Sequence, residues 1–557
     1  MIHPNQAGFI PNRFIFDHIR LAKSIISYAE AMEIDGSIIA LDQEKAYNKI
    51  RHEYLWETMN HFNLPLPFTN TIKALYQNAH TRVAINGEFS TPFHVTRGVR
   101  QGDPLSCALF DLAIEPLACR LRNDPTLKGF ASPGQEEKIL VSMFADDTTI
   151  YLSKEDRFDQ VEQILRSWCD VSGAKFNIEK TEIIPIGTAE HREEVITSRK
   201  VNPNDSCQLD SRIKIAKDEE AVRLLGAWIG NRTDDLTAWE PIIDMIKKDL
   251  ERWQRIHPTL HGKRLITQAI VGGRTQYLAK TQGMPQRTEK VIQKIINEFL
   301  WDSKKPPRIA SSMLELPLEN GGLNLLNVST RNEAIEIMWL KSYLDFSPTR
   351  PTWAIFTDLL INATAPPNIS PLGRLNTYMQ RWDPPTRGPR TAYLNNDIIR
   401  MINTARKYNT NLEALRIAPE ISARLPAWYH IKANPRPLTS IPAKCLLRNH
   451  QAKTVADLIR TSTKAQPAQV NAHIPNLACT CVECARDRLK GCRNPHECAK
   501  EALSRINEIA PKFNPLIGLS QRDDLSLTPT REARRRAANE NSDKTMFDTE
   551  IACKKRT

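Results

Sequence analysis

The chain has 557 residues and a formal net charge of +12 at pH 7, a length that predicts several domains, each with a full core. No apolar run is long enough to span a bilayer and no signal-peptide pattern opens the chain, which argues against a membrane-spanning or exported protein. A reducing, intracellular setting (nucleus or cytoplasm) is therefore the default, and the basic balance fits a polyanion partner.

In chain order, Ser37-Ile38-Ile39-Ala40-Leu41 predicts a strand ending on the carboxylate of Asp42. Ala46, Ile50, Tyr54, Met59 and Phe62 then recur at three- to five-residue spacing, which predicts a helix directly after it. Alone, Asp42 reads equally well as that helix's N-cap. Next, Arg97-Gly98-Val99-Arg100-Gln101-Gly102 predicts a tight loop whose backbone can come close to a nucleotide. Asp103-Pro104 starts a helix, and Leu105, Leu109, Leu112 and Leu117 give it a buried face.

Further on, Ile139 to Phe144 and Thr148 to Leu152 predict two short strands, with Ala145-Asp146-Asp147 at the turn between them. An isolated Asp pair is usually a solvated turn. A strand-end Asp together with a hairpin-tip Asp pair is more specific. Such carboxylates repel one another unless a hard cation neutralises them. They can converge on two ions about 3.5–4 Å apart, an arrangement that stabilises both oxygens of an in-line phosphoryl displacement.

Thr237 to Trp253 and Thr288 to Trp301 predict amphipathic helices, with Ile243, Ile246, Leu250 and Trp253 on one apolar stripe. Lys247, Lys248, Arg252, Arg255, Lys263, Arg264 and Arg274 spread positive charge over this region, either as solvated faces or as a track for a nucleic-acid backbone. From Arg350 to Arg390 prolines dominate, which reads as loop or linker. Cys479, Cys481, Cys484, Cys492 and Cys498, with His496, form a cluster with more soft ligands than one tetrahedral zinc needs. One bound Zn²⁺ is the expectation, with a disulfide cluster or buried thiols as the alternative. Arg531, Arg534 to Arg536 and Lys554 to Arg556 make a basic tail expected to be disordered.

Together, Ala40-Leu41-Asp42 with Lys45-Ala46-Tyr47, then Gly98-Val99-Arg100-Gln101-Gly102-Asp103-Pro104-Leu105-Ser106, then Phe144-Ala145-Asp146-Asp147 resemble motifs A, B and C of a non-LTR (LINE-type) retrotransposon reverse transcriptase. Gln6-Ala7-Gly8-Phe9 with Arg13 and Asp17-His18-Ile19 resembles the segment ahead of motif A. Gly173 to Glu182 resembles motif D, Leu224 to Gly230 the primer-grip hairpin, and Trp301 with Pro317 to Leu323 the region after the thumb. The resemblance covers about the first three-fifths of the chain.

It implies an α+β right-hand palm polymerase: partial fingers and palm over 1–230, a helical thumb and post-thumb segment over 231–330, a helical connection over 331–475, a Cys/His module over 476–520, and the tail over 521–557. It also implies RNA-templated addition of dNTPs to a DNA 3′-OH with two Mg²⁺. Asp42 and Asp146 would be the principal ligands, with Asp147 beside them. Tyr47 would bar a 2′-hydroxyl, Gln101 and Gly102 would floor the nucleotide pocket, Arg13 would reach the triphosphate, and Lys180 would serve as general acid. Asn48 replaces a common Asp, and the usual upstream fingers segments, the endonuclease and an RNase H domain are not recognised. An incomplete chain and weak polymerisation are therefore expected. The alternative is an inactive element that only binds nucleic acid. An intron-encoded maturase shares the palm, but Gly321-Gly322 and the Cys-rich block argue against it.

Overall fold

The computed structural model describes residues 2–131, 138–302, 307–346, 350–365, 384–408, 410–411, 416–417, 419–428, 440–466, 473–509, 513–517 and 526–527. The basic tail and Pro366, Pro367 and Pro371 of the proline-rich stretch lie outside the described residues. The chain divides into two compact units, Met1–Asn332 and Glu333–Thr557.

The apolar runs around the aspartates build one five-stranded sheet in the first unit, ordered Val141–Phe144, Asp147–Ser153, Gly36–Leu41, Glu182–Ile186, Lys214–Ile215. Gly36–Leu41 is central and antiparallel to both neighbours, with Ile39 opposite Ile150 on one side and Ile183 on the other. These strands read as continuous apolar runs because both faces of the sheet are covered. Ile39, Leu41, Ile150, Leu152 and Ile183 share a core with the helices Ser106–Asn123 and Phe158–Ser172. Ile38, Tyr151 and Ile184 alternate with them and are equally buried, and the helix Ile15–Met32 also packs against the sheet.

Local structure departs from the sequence pattern at three places. The helix expected after Asp42 is broken into Ala46–Lys49 and His52–His61. The carbonyls of Tyr47 and Ile50 turn outward to accept Val99 N at 2.7 Å and Gly98 N at 2.6 Å, so they cannot continue a helical ladder. Trp253 leaves its expected stripe: Ile246 and Leu250 are buried, but Trp253 is 43% exposed at the end of Glu240–Gln254. Lys263, expected to face outward, is buried, with its ammonium on Leu300 O at 3.2 Å and paired with Asp302.

The second unit is mainly helical, with Thr352–Ala363, Asn396–Lys407, Ile441–Arg448, Val455–Ser462, Val482–Leu489 and Pro495–Asn507. Its Cys-rich end has a small core of Leu446, Ala452, Leu458, Ala502 and Ile506, completed by Cys492 and Cys498. Mixed helix and sheet, divided in this way between the units, makes the chain α+β.

Candidate active site

Asp42 leaves the central strand at the end where Leu41 pairs with Thr148, so Asp147 lies beside it on the adjacent strand. Asp146 occupies the hairpin turn, next to Ala145 in the left-handed region at φ 55°. The Asp42 backbone accepts Asn177 N at 2.8 Å, which brings the Ile178–Lys180 turn alongside. There the Lys180 ammonium lies 3.3 Å from Asp42 Oδ2. Asp42, Asp147 and Lys180 line a cavity of about 360 Å³ together with Glu179, Glu182, Lys214 and Arg223 to Leu225. One wall is thus the Val222–Leu224/Ala227–Ile229 hairpin, which Gln282 clamps by both amide ends to Trp228 N and O at 3.0 Å.

The carboxylates feel one another. Burial, then the Asp146 and Asp42 charges, push the Asp147 carboxyl up to about 6, against an opposing pull from Lys180. Burial, then Asp42, also raises Asp146. Crowded like charges at one edge of a sheet are costly unless a cation neutralises them, so this donor set fits hard divalent ions.

Gln6 has a role that the motif resemblance left unassigned. Its side chain is 1% exposed, and Oε1 accepts Ala145 N at 2.9 Å and Gly8 N at 2.8 Å, while Nε2 donates to Ala145 O at 3.3 Å. The amide therefore latches the turn that carries Asp146. Gly8 is required beside it, since a Cβ there would lie 2.3 Å from Ala145 N. Sequence alone carries no signal for this latch, because the burial of the Gln6 amide against Ala145 is a tertiary contact.

The other expected residues fall as follows. Tyr47 stacks on Phe110 at 4.7 Å and meets Phe9 edge-on at 6.5 Å. Its hydroxyl is raised by burial first and then by Cys107, Asp146 and Asp111, so the ring lies close to the aspartates. Gln101 and Gly102 are exposed; Gly102 has φ +86° and open space where a Cβ would stand. Gly98 has φ +84°, and a Cβ there would be 2.7 Å from Tyr47 O, so this loop is seated directly on the turn after Asp42. Arg13 differs from expectation. Its guanidinium donates to His3 O at 2.6 Å, Gln6 O at 2.7 Å and Ile2 O at 3.1 Å, so its fork is engaged in ordering the Gln6 loop.

In the second unit the candidate metal-binding side chains separate into two groups. His473, Cys479, Cys481 and Cys484 converge in one; Cys445, His450, Cys492 and Cys498 converge in the other. His496 belongs to neither, its Nδ1 lying 3.5 Å from Lys464 O. This corrects the expectation of one centre with His496 as a ligand. Cys445, His450 and His473 escaped notice because they lie outside the dense Cys run.

A family described as "Reverse transcriptase (RNA-dependent DNA polymerase)" matches residues 1–229. The chain is 25% identical over 358 residues to the "Transposon TX1 uncharacterized 149 kDa protein" of Xenopus laevis, covering 63% of this chain and 26% of that protein. It is 32% identical over 151 residues to the "Retrovirus-related Pol polyprotein from type-1 retrotransposable element R2" of Nasonia vitripennis, covering 27% of this chain and 14% of that one. It is 27% identical over 177 residues to the R2DM Pol polyprotein of Drosophila melanogaster, covering 32% and 16% respectively. The chain thus spans 14% to 26% of these relatives' lengths. No described helix is long and apolar enough to cross a membrane. With the aspartates gathered on a mixed-sheet palm, residues 1–229 form a reverse transcriptase domain of the non-LTR retrotransposon kind.

Proposed function

We propose that the chain is an RNA-directed DNA polymerase, adding deoxynucleotides to a DNA primer 3′-OH along an RNA template. The observation that carries this reading is the convergence of Asp42, Asp146 and Asp147 at one end of the sheet, with the carboxyls of Asp146 and Asp147 raised by burial first and then by neighbouring carboxylate charge. Two Mg²⁺ ions held by these carboxylates would neutralise charge on the attacking and leaving oxygens. Lys180, beside Asp42 on an exposed stem, holds a proton within reach of a departing pyrophosphate. The Tyr47 ring, braced by Phe110, fills the space that a ribose 2′-hydroxyl would need. Gly102 leaves the floor of the nucleotide pocket open, with Gln101 beside it. Arg13 positions the loop that latches the Asp146 turn, in place of a direct phosphate contact.

The Val222–Ile229 hairpin on the cavity wall suits a primer 3′ end. We assign 1–230 to fingers and palm and 231–330 to a thumb, where exposed Lys248, Arg252 and Arg255 offer salt-sensitive backbone contacts. The test is primer extension with each dNTP on matched RNA and DNA templates. Correctly templated extension on RNA supports the reading. Tight primer–template binding without extension in any divalent metal would favour a binding role instead.

A further inference from the structure

We propose that the Cys-rich end of the chain is a two-zinc module, in which His473, Cys479, Cys481 and Cys484 hold one ion and Cys445, His450, Cys492 and Cys498 hold the other. The two imidazoles carry the argument. His473 Nε2 lies 2.8 Å from Lys464 O, and a carbonyl only accepts, so Nε2 bears the proton and Nδ1 presents a bare lone pair. That lone pair faces three sulfurs, Cys479 and Cys481 at 3.4 Å and Cys484 at 3.5 Å. Tetrahedral zinc, with Zn–N of about 2.0–2.1 Å and Zn–S of about 2.3 Å, has an N···S edge of about 3.5 Å. All three separations sit at that edge.

The second site follows the same rule with the opposite nitrogen. His450 Nδ1 faces Asp487 Oδ1 at 3.7 Å, and its buried Nε2 has no hydrogen-bond partner among the described residues. Carboxylate behind an imidazole, with the far nitrogen bare, is how metal-bound histidines are commonly oriented. The Sγ atoms of Cys492 and Cys498 are 3.6 Å apart, close to the S···S edge of about 3.8 Å expected around zinc and far from a disulfide bond of about 2.0 Å. In both groups all four donor atoms lie within 4.8 Å of one another. Three sulfurs and one imidazole in each, enough to fill all four positions, select tetrahedral zinc of the structural type.

One residue serves both sites. The Lys464 carbonyl fixes His473, and its ammonium pairs with Asp487, which faces His450. The helix Val482–Leu489 runs between the sites, with Cys484 in its first turn and Cys492 just beyond its end, so the ions pin it at both ends. Such staples suit a module whose small core is partly made of alanines and thiols.

The test is metal analysis of the full chain, purified under reducing conditions and washed with a weak chelator. Two zinc per chain are expected, falling to one in Cys445→Ser and in His473→Ala, to none in the double variant, and staying at two in His496→Ala. Where a variant does not fold, stepwise mercurial titration of the wild type supplies the same answer, as zinc release in two phases of three thiols each. Cobalt replacement should give two tetrahedral, thiolate-bound spectra. One zinc or none in the wild type, bound iron, or loss of zinc in His496→Ala would overturn the proposal.

Discussion

Gln6→Ala isolates the latch on the Asp146 turn. The change removes the acceptor of two buried N–H groups, Ala145 and Gly8, and the donor to Ala145 O. An unsatisfied buried donor costs about 1–3 kcal/mol, so two of them cost about 2–6 kcal/mol where no water enters. Over most of that range the cost is below the roughly 5–15 kcal/mol by which domains are stable, so most of the protein is expected to stay folded. The turn, whose Ala145 holds a left-handed conformation without glycine, then loses what fixes it. A shift of about 1 Å in a catalytic group costs on the order of 10²-fold in rate. The assay compares Mn²⁺ binding, thermal denaturation and single-turnover nucleotide addition with wild type. Lower melting temperature, at least tenfold weaker Mn²⁺ binding and a rate loss near 10²-fold are expected. Wild-type melting with a rate within threefold would refute the latch.

Tyr47→Ala opens the space over Phe110, and ribonucleotide incorporation should rise by an order of magnitude or more while deoxynucleotide use is retained; unchanged discrimination in primer extension would leave Tyr47 as core only. Gly98→Ala forces a Cβ to within 2.7 Å of Tyr47 O at φ +84° and should lower stability by about 1–3 kcal/mol, read by denaturant unfolding. The Asp147 carboxyl, raised to about 6, should make Mg²⁺ binding weaken as pH falls through 6 and level off above 7. Because its folded value lies above its unfolded one, the ion-free fold is penalised above pH 6 and relieved as pH falls towards 4; saturating Mg²⁺ should flatten that dependence in thermal melts.

Much of the site was legible because its residues sit at strand ends. Apolar runs broken by Asp42 and by Asp146-Asp147 predict strand ends, and antiparallel pairing of Gly36–Leu41 with Asp147–Ser153 then brings the carboxylates together. Gln6 was not legible as a latch, since the Ala145 backbone that it holds lies more than a hundred positions away. The break at Ile50 was hidden too: its cause is the Gly98 amide, a tertiary partner that overrides helical periodicity. Lys263 misled because a lysine in a basic stretch reads as solvated until Asp302 and a helix-end carbonyl are found around it. The Cys run pointed to metal-binding chemistry, but three of the eight side chains that converge lie outside it, and spacing alone could not divide them into two groups.

The central claim is that Asp42, Asp146 and Asp147 form a metal-dependent nucleotidyl-transfer site. Its most direct test is single-turnover addition of the templated dNTP to a DNA primer on RNA with Mg²⁺, in wild type and in Asp146→Asn. The account predicts addition in the wild type that requires the divalent ion, and a rate at least 10³-fold lower in Asp146→Asn with primer–template affinity unchanged. Addition by Asp146→Asn at the wild-type rate, or no addition by a wild-type protein shown to bind the ions and the primer–template, would contradict it.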